Sequence, residues 1–97
     1  MVPFFEVIDR TKRRIYLTRE RLNHILEHKE IANYIEEIKD TLINPLKIYS
    51  YSYDKAVAYY YKYLKNKKSD AKYLLVAVKY LNGNGFVITS YFVRNIK

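Results

Sequence analysis

The two histidines of this chain, His24 and His28, lie four residues apart in the segment LTRERLNHILEHKE. On a helix this spacing places both imidazoles on one face, and Arg21 lies one turn before His24 on the same flank. An imidazole exchanges protons near neutral pH, and a guanidinium binds phosphate oxygens. The pattern therefore predicts acid–base chemistry on a phosphate ester. The alternative interpretation is an amphipathic helix with a solvated polar edge.

Metal and cofactor chemistry has little support in the sequence. A zinc metalloprotease motif needs Glu directly after its first His, whereas Ile25 follows His24 and no further ligand cluster accompanies the histidines. The absence of cysteine excludes disulfides and cysteine-ligated zinc. The chain also lacks a Gly-rich phosphate loop, a nucleophile elbow and a paired acidic motif. We therefore expect neither a metal nor a cofactor.

The tyrosines, 12 in number, are the second group that could bind a ligand. They recur at every second position in two neighbouring segments: Tyr49, Tyr51 and Tyr53, then Tyr59, Tyr61 and Tyr63. Lys47 shares the face of the first set, so we predict that this face is exposed to solvent. Exposed rings beside lysines form a stacking platform for unpaired bases. The alternative is that tyrosine simply favours strands and cross-strand pairs.

The charge balance favours a polyanionic partner. The chain has 18 Lys and Arg against 10 Asp and Glu, a net charge of +8. Basic residues concentrate in residues 10–14 and 62–72. Because neutralising phosphates releases condensed counterions, we expect Lys65, Lys67 and Lys68 to bind a nucleic-acid backbone. The alternative is a charge that serves solubility.

The C-terminal segment GFVITSYFVRNIK carries hydroxyl groups followed by a cation. In a strand, Thr89 and Tyr91 point to one face, and Ser90 points to the other. Thr89, Tyr91 and Arg94 are therefore candidates for phosphate binding. The alternative is again an ordinary strand, in which Thr, Ser and Tyr are common.

Periodicity predicts the elements that position these side chains. FFEVID and RIYLT predict two short strands around a basic turn, and Thr18 is a good N-cap for the helix that follows. Apolar residues recur at helical spacing as far as Asn44, where Pro45 stops the helix. Four segments with strand character follow, the last two joined at NGNG. The prediction is one α+β domain, residues 1–97, with one or two helices packed on a four-stranded antiparallel sheet.

Segments that would place the chain in or across a membrane are not evident in the sequence. No run approaches the roughly 18 apolar residues of a membrane helix. The N-terminal MVPFFEVIDR lacks the basic leader and long apolar stretch of a signal peptide. We expect a cytoplasmic protein without membrane contact.

Three segments, read in order, resemble a known family: RRIYLTRERLNHILEHKE, IKDTLINPLKIYS and YLLVAVKYLNGNGFVITSYFVRNIK. They are similar to the phage-associated barnase–EndoU–colicin–RelE-like (PBECR) nuclease-fold family over nearly the whole chain. Arg21 and His24 match its ER-x-x-HI motif, and His28 with Glu30 matches its His-Pro-Glu segment. Thr89 and Tyr91 match its GFVITAY strand.

Two departures from the family pattern concern the site. Lys29 replaces the proline of the His-Pro-Glu segment, and Val93 stands where a hydroxyl residue is expected. If that hydroxyl is catalytic in the family, this chain is impaired or uses Thr89 or Ser90 instead.

The resemblance implies a metal-independent endoribonuclease, of the kind found among toxins and phage-linked effectors. The ribose 2′-hydroxyl would attack its own 3′-phosphate, with His24 transferring protons and His28 in reserve. Arg21 and Arg94 would stabilise charge on phosphorus. We expect a monomer or homodimer that binds single-stranded or structured RNA and, as a toxin, an antitoxin or inhibitor protein. A non-catalytic RNA- or DNA-binding module and a protein-interaction domain are the alternatives.

Overall fold

The computed structural model describes residues 2–96, which fold into six strands, two α-helices and one 3₁₀ helix. The helices cover one face of the sheet, and we call the opposite face the open face. The elements are, in chain order, β1 (Phe5–Ile8), β2 (Arg14–Leu17), α1 (Arg19–Ile25), the 3₁₀ helix (Lys29–Tyr34), α2 (Ile35–Ile43), β3 (Lys47–Tyr51), β4 (Asp54–Tyr63), β5 (Tyr73–Leu81) and β6 (Asn84–Val93). The predicted α+β class is confirmed.

The six strands form one mixed sheet in the order β1-β2-β6-β5-β4-β3. β3 to β6 make the antiparallel meander that the sequence predicts, but β1 and β2 extend the same sheet, and β2 runs parallel to β6. The prediction of a four-stranded antiparallel sheet was therefore wrong in strand number and direction. The physical reason is that an isolated two-stranded hairpin is marginal in water. Joining the larger sheet buries Ile15 and Leu17 completely.

The parallel pairing of β2 with β6 depends on Gly85, which is the register partner of Ile15. A Cβ at position 85 would lie 2.4 Å from Ile15 Cδ1 and 2.9 Å from Val78 Cγ1. Both distances are well below the roughly 3.5–4.0 Å of a favourable carbon–carbon contact. The missing side chain of Gly85 therefore leaves the space that the Ile15 side chain fills.

The main core lies between the helices and the sheet. Each helix contributes fully buried apolar residues, among them Ile25, Ile31 and Leu42. The strands contribute Phe5, Ile15, Leu17, Ala58, Tyr60, Leu74, Val76, Val78 and Val87. This core fixes which side of α1 faces the protein and which side borders solvent.

The tyrosine-rich side of β3 and β4 is the open face, as the sequence predicts. Tyr49 is exposed, and Tyr53, in the turn after β3, is 87% exposed. The open face nevertheless has a small packed cluster, in which Tyr61 is only 1% exposed and contacts Leu75 and Ala77. Packing therefore accounts for the central tyrosine, while the outer ones remain accessible.

A bulge in β6 determines which of its side chains reach the open face. Val78 pairs with Val87, and both lie in the main core. The preceding residue of β5, Ala77, pairs with Thr89, which leaves Ile88 as an extra residue on the open face. Because a one-residue insertion reverses the alternation, Thr89 follows Ile88 onto that face.

A buried hydrogen-bond network joins the β1–β2 turn to the centre of the sheet. Asp9 is 3% exposed, and its carboxylate accepts hydrogen bonds from Thr11 Oγ1 at 2.8 Å and Arg13 N at 2.9 Å. It also accepts one from the Tyr60 hydroxyl in β4, which is hydrogen-bonded to the Tyr80 hydroxyl in β5. Burial, reinforced by the bond to Asp9, raises the pKa of Tyr60 above its ordinary value of 10.0.

Replacing Gly85 with alanine tests the β2–β6 contact. We expect Gly85→Ala to lower the free energy of unfolding by about 1–3 kcal/mol, because the new methyl group overpacks the Ile15 side chain. Ile15→Val removes the closest atom, Cδ1, and should cost about 0.5–1.5 kcal/mol alone but less in the alanine background. Urea unfolding of wild type, the two single variants and the double variant measures both effects. Equal stability of Gly85→Ala and wild type would contradict this account of the contact.

Alkaline pH tests the buried Tyr60 network. The pKa of Tyr60 is raised in the folded state, so its phenol stays neutral there while the unfolded chain ionises above pH 10. The free energy of unfolding should therefore fall above pH 10, with Tyr60 contributing up to about 1.4 kcal/mol per pH unit. In denaturant titrations, Tyr60→Phe should be less stable at pH 8 yet decline less steeply above pH 10. Identical slopes for the variant and wild type would assign the decline to other tyrosines.

Candidate functional site

α1 lies beside the outer edge of β6, past the point where β2 ends. β2 pairs with Gly85 and Phe86 at the start of β6, and the chain then turns into α1, which packs against β6. Thr18 caps this helix, its Oγ1 accepting a hydrogen bond from Arg21 N at 3.1 Å. Glu20 lies in the first turn, where its charge complements the helix dipole. The predicted N-cap is confirmed.

Arg21 and His24 lie on α1, and His28 lies in the turn that follows it. The prediction that both histidines share one helix face was wrong, because the α-helix ends at Ile25 and Leu26 caps it. Arg21 lines a cleft together with Ile88 of the open face. His28, which precedes the 3₁₀ helix, has its ring centroid 6.2 Å from that of Tyr91. His24 is exposed, and in the chain it lies three residues after Arg21 and four before His28. The fold thus brings Arg21 and His28, two of the three predicted residues, to the open-face side of β6.

Thr89 and Tyr91 are the hydroxyl residues of β6 that reach the open face. Tyr91 is 37% exposed, and Thr89 is half-buried. Ser90 points to the other face, where it is fully buried and its hydroxyl donates to the Leu75 carbonyl at 2.8 Å. Ser90 is therefore not available as a substitute for the hydroxyl that Val93 lacks. Of the two residues considered for that role, Thr89 is the accessible one.

A cleft of about 550 Å³ opens between the start of α1 and the open face of β5 and β6. Besides Arg21 it is lined by the apolar residues Leu81, Phe86 and Ile88 and by the cations of Arg19 and Lys79. Sequence reasoning missed this cleft. Lys79 could have pointed to the cleft, since it is the only charged residue in the run YLLVAVKYL. The residues that Lys79 lies beside, however, depend on the register between β5 and β6.

The tyrosine rings of the open face form a row that leads toward β6. The Tyr51 ring centroid lies 5.5 Å from that of Tyr53 and 5.4 Å from that of Tyr59. Burial raises the pKa of Tyr59, and the nearby Tyr51 and Tyr91 act in the same direction. Two further pairs flank this row: Tyr49 with Tyr61 at 6.0 Å, and Tyr63 with Tyr73 at 5.2 Å. Aromatic surface therefore extends from β3 to the edge where His28 lies.

The predicted cations outside α1 differ in accessibility. Four of them are exposed: Lys47, Lys65, Lys68 and Arg94. Lys67 is only 8% exposed, with its Nζ 3.4 Å from Glu30 Oε2 and 4.0 Å from the centroid of the Phe92 ring. The structure thus corrects the prediction that Lys67 binds a nucleic-acid backbone, because its ammonium is enclosed by the 3₁₀ helix and β6. Glu30 serves as its ion-pair partner.

Among residues 2–96, no three or more His, Cys, Asp and Glu side chains are grouped so as to hold a metal ion. No helix in this described part of the chain is long and apolar enough to cross a membrane. The metal-independent mechanism stays a prediction.

A family model described as phage-Barnase-EndoU-ColicinE5/D-RelE like nuclease 2 matches residues 5–97. No curated protein and no solved structure matches the chain. The family match includes both α1 with its neighbouring histidine and the whole of β6, so it covers every candidate residue described above. It also confirms the resemblance that the sequence motifs indicated. The chain therefore belongs to the phage-Barnase-EndoU-ColicinE5/D-RelE like nuclease 2 family.

Proposed function

We propose that this protein cleaves RNA without a metal ion, by attack of a ribose 2′-hydroxyl on the adjacent phosphate. The observation that carries the proposal is the approach of α1 to β6. Two contacts support it: Arg21 lines the cleft beside Ile88, which precedes Thr89, and the His28 ring lies 6.2 Å from that of Tyr91. His24 lies between Arg21 and His28 in the chain. Membership of a nuclease-like family supports the same chemistry.

In the proposed reaction the 2′-oxygen bonds to phosphorus as the bond from phosphorus to the 5′-oxygen breaks. The products are a 2′,3′-cyclic phosphate and a 5′-hydroxyl. His24 removes the 2′-hydroxyl proton, and His28 gives a proton to the departing 5′-oxygen. Arg21 stabilises the additional negative charge on pentavalent phosphorus, and the hydroxyls of Thr89 and Tyr91 orient the phosphate.

The proposed substrate is RNA with unpaired bases near the cleaved bond. The tyrosine row supports this choice, because bases in a duplex do not expose the ring faces that stack on aromatic side chains. Four exposed cations are candidates to bind the RNA backbone: Lys47 in β3, Lys65 and Lys68 in the loop after β4 and, directly after β6, Arg94. A toxin role, an antitoxin partner and a cytoplasmic location stay predictions.

Replacing His24 with alanine tests the proton-transfer role. Cleavage of labelled RNA in EDTA should slow at least about 100-fold, the usual loss when a general acid or base is removed. Asn23→Ala is the matched control, since Asn23 is the exposed neighbour on α1, and it should keep the wild-type rate. Circular dichroism of both variants checks that they fold. Unchanged cleavage by His24→Ala would move the role to His28 or away from α1.

The same assay tests the mechanism through its substrate and its products. RNA with 2′-deoxyribose at the cleaved position should survive wild-type protein, and cleaved RNA should end in a 2′,3′-cyclic phosphate. Activity lost in EDTA and restored by magnesium would refute the metal-free mechanism. RNA binding without any cleavage by the wild-type protein would support the non-catalytic binding module instead.

Replacing Tyr51 with alanine tests the stacking platform. Because stacking of one base on an aromatic side chain is worth about 1–3 kcal/mol, single-stranded RNA should bind about 5- to 150-fold more weakly. Thermal stability should fall only modestly, since Tyr51 lies on the open face. Ser52→Ala, at an exposed neighbouring position, is the control and should leave binding unchanged. An unfolded variant, or unaltered RNA affinity, would mean that these tyrosines are structural.

A further inference from the structure

The cleft beside α1 has a composition that the proposed catalytic roles do not explain. Only Arg21 of its lining residues has a role in the reaction. Its wall is apolar and partly aromatic, formed by Leu81, Phe86 and Ile88. Its rim carries the charged side chains of Arg19, Glu20 and Lys79. An apolar wall with a few polar groups at its mouth is typical of a site for a small flat ligand.

We propose that this cleft binds the base of a nucleotide adjacent to the cleaved phosphate, an inference that rests on the proposed ribonuclease function. The cleft adjoins the candidate site at two residues. Arg21 belongs to both, and Ile88 immediately precedes Thr89 in the β6 bulge. An RNA strand with its phosphate at Thr89 therefore has one neighbouring base within reach of the cleft.

The charges at the rim favour a base over a second phosphate. Glu20 stands among the cations and would repel a phosphate, whereas its carboxylate accepts hydrogen bonds from the amino groups of a base. The ammonium of Lys79 is already 3.1 Å from Asp54 Oδ2, which offsets its positive charge. The guanidinium groups of Arg19 and Arg21 then remain to bind the RNA phosphates on either side of the base.

The Phe86 ring is held in an orientation suited to stacking. Its centroid lies 5.5 Å from that of Tyr16, at an interplanar angle of 26°. Tyr16 and Phe86 are register partners in the β2–β6 pairing, so this stack is fixed by the sheet itself. A base in the cleft would stack on a ring that is already immobilised, which lowers the entropy cost of binding.

An abasic scan tests the proposed subsite without requiring cleavage. A short RNA, blocked by 2′-deoxyribose at the mapped cleavage position or, where nothing is cleaved, at every position, is made with one abasic residue at each position in turn. Its affinity is measured by fluorescence anisotropy. For wild-type protein, an abasic residue beside the blocked phosphate should weaken binding about tenfold. Phe86→Leu should weaken binding of the intact RNA similarly and abolish the abasic penalty at that position alone.

Two further variants secure the interpretation. Phe4→Leu removes a partly exposed phenyl ring outside the cleft and should keep the wild-type abasic profile. Leu81→Trp, at a residue 51% exposed on the cleft wall, should fill the cleft and also abolish the penalty, even if Phe86→Leu folds poorly.

The outcomes separate this inference from the proposed function. If wild-type protein cleaves RNA but the abasic profile is the same in Phe86→Leu, Leu81→Trp and wild type, the base subsite is refuted while the ribonuclease stands. If nothing is cleaved but one position depends on Phe86, the subsite stands in a binding protein. If the protein binds no RNA, both proposals fail.

Discussion

The position of the candidate site depends on the close approach of β2 to β6 at Gly85. A side chain there would collide with Ile15, and without that contact the N-terminal hairpin has no edge on which to bury its apolar residues. Because β2 ends after a short pairing, the rest of the outer edge of β6 is left for α1. The absence of a side chain at Gly85 therefore lets α1, and the turn that carries His28, border the strand that carries Thr89.

The Asp9 network supports the same arrangement on the helix-covered face of the sheet, where Ile15 and Tyr60 share the main core. A buried carboxylate is costly unless hydrogen-bond donors surround it, and Asp9 receives them from its own turn and from Tyr60. The network joins residues 51 positions apart in the chain. It thus holds the β1–β2 turn over the central strands, and with it the hairpin from which α1 begins. The side chain of Asp9 thus both stabilises its own turn and links that turn to a distant strand.

The open face combines packing with accessibility. Tyr61 is buried in a small cluster that stabilises the sheet, whereas Tyr53 at its margin is almost fully exposed. Family membership alone does not explain why the exposure of the tyrosine rings increases from the packed centre of this face to its edge. A rigid face with exposed rings presents stacking surfaces at little entropy cost, because the strands already fix the ring positions.

Periodicity and composition determined much of this protein by themselves, because they reflect local preferences. The α+β class, the Thr18 cap and the four-stranded meander were all predictable, as was the family. Interactions between distant segments were not. Hairpin signals report only sequence neighbours, so the parallel β2–β6 pairing escaped prediction. The alternation of apolar and polar residues could not reveal the bulge at Ile88 that turns Thr89 onto the open face. Composition could not reveal that Lys67 is enclosed beside Glu30. Tertiary structure alone decided these, because each depends on which backbone or side chain comes into contact.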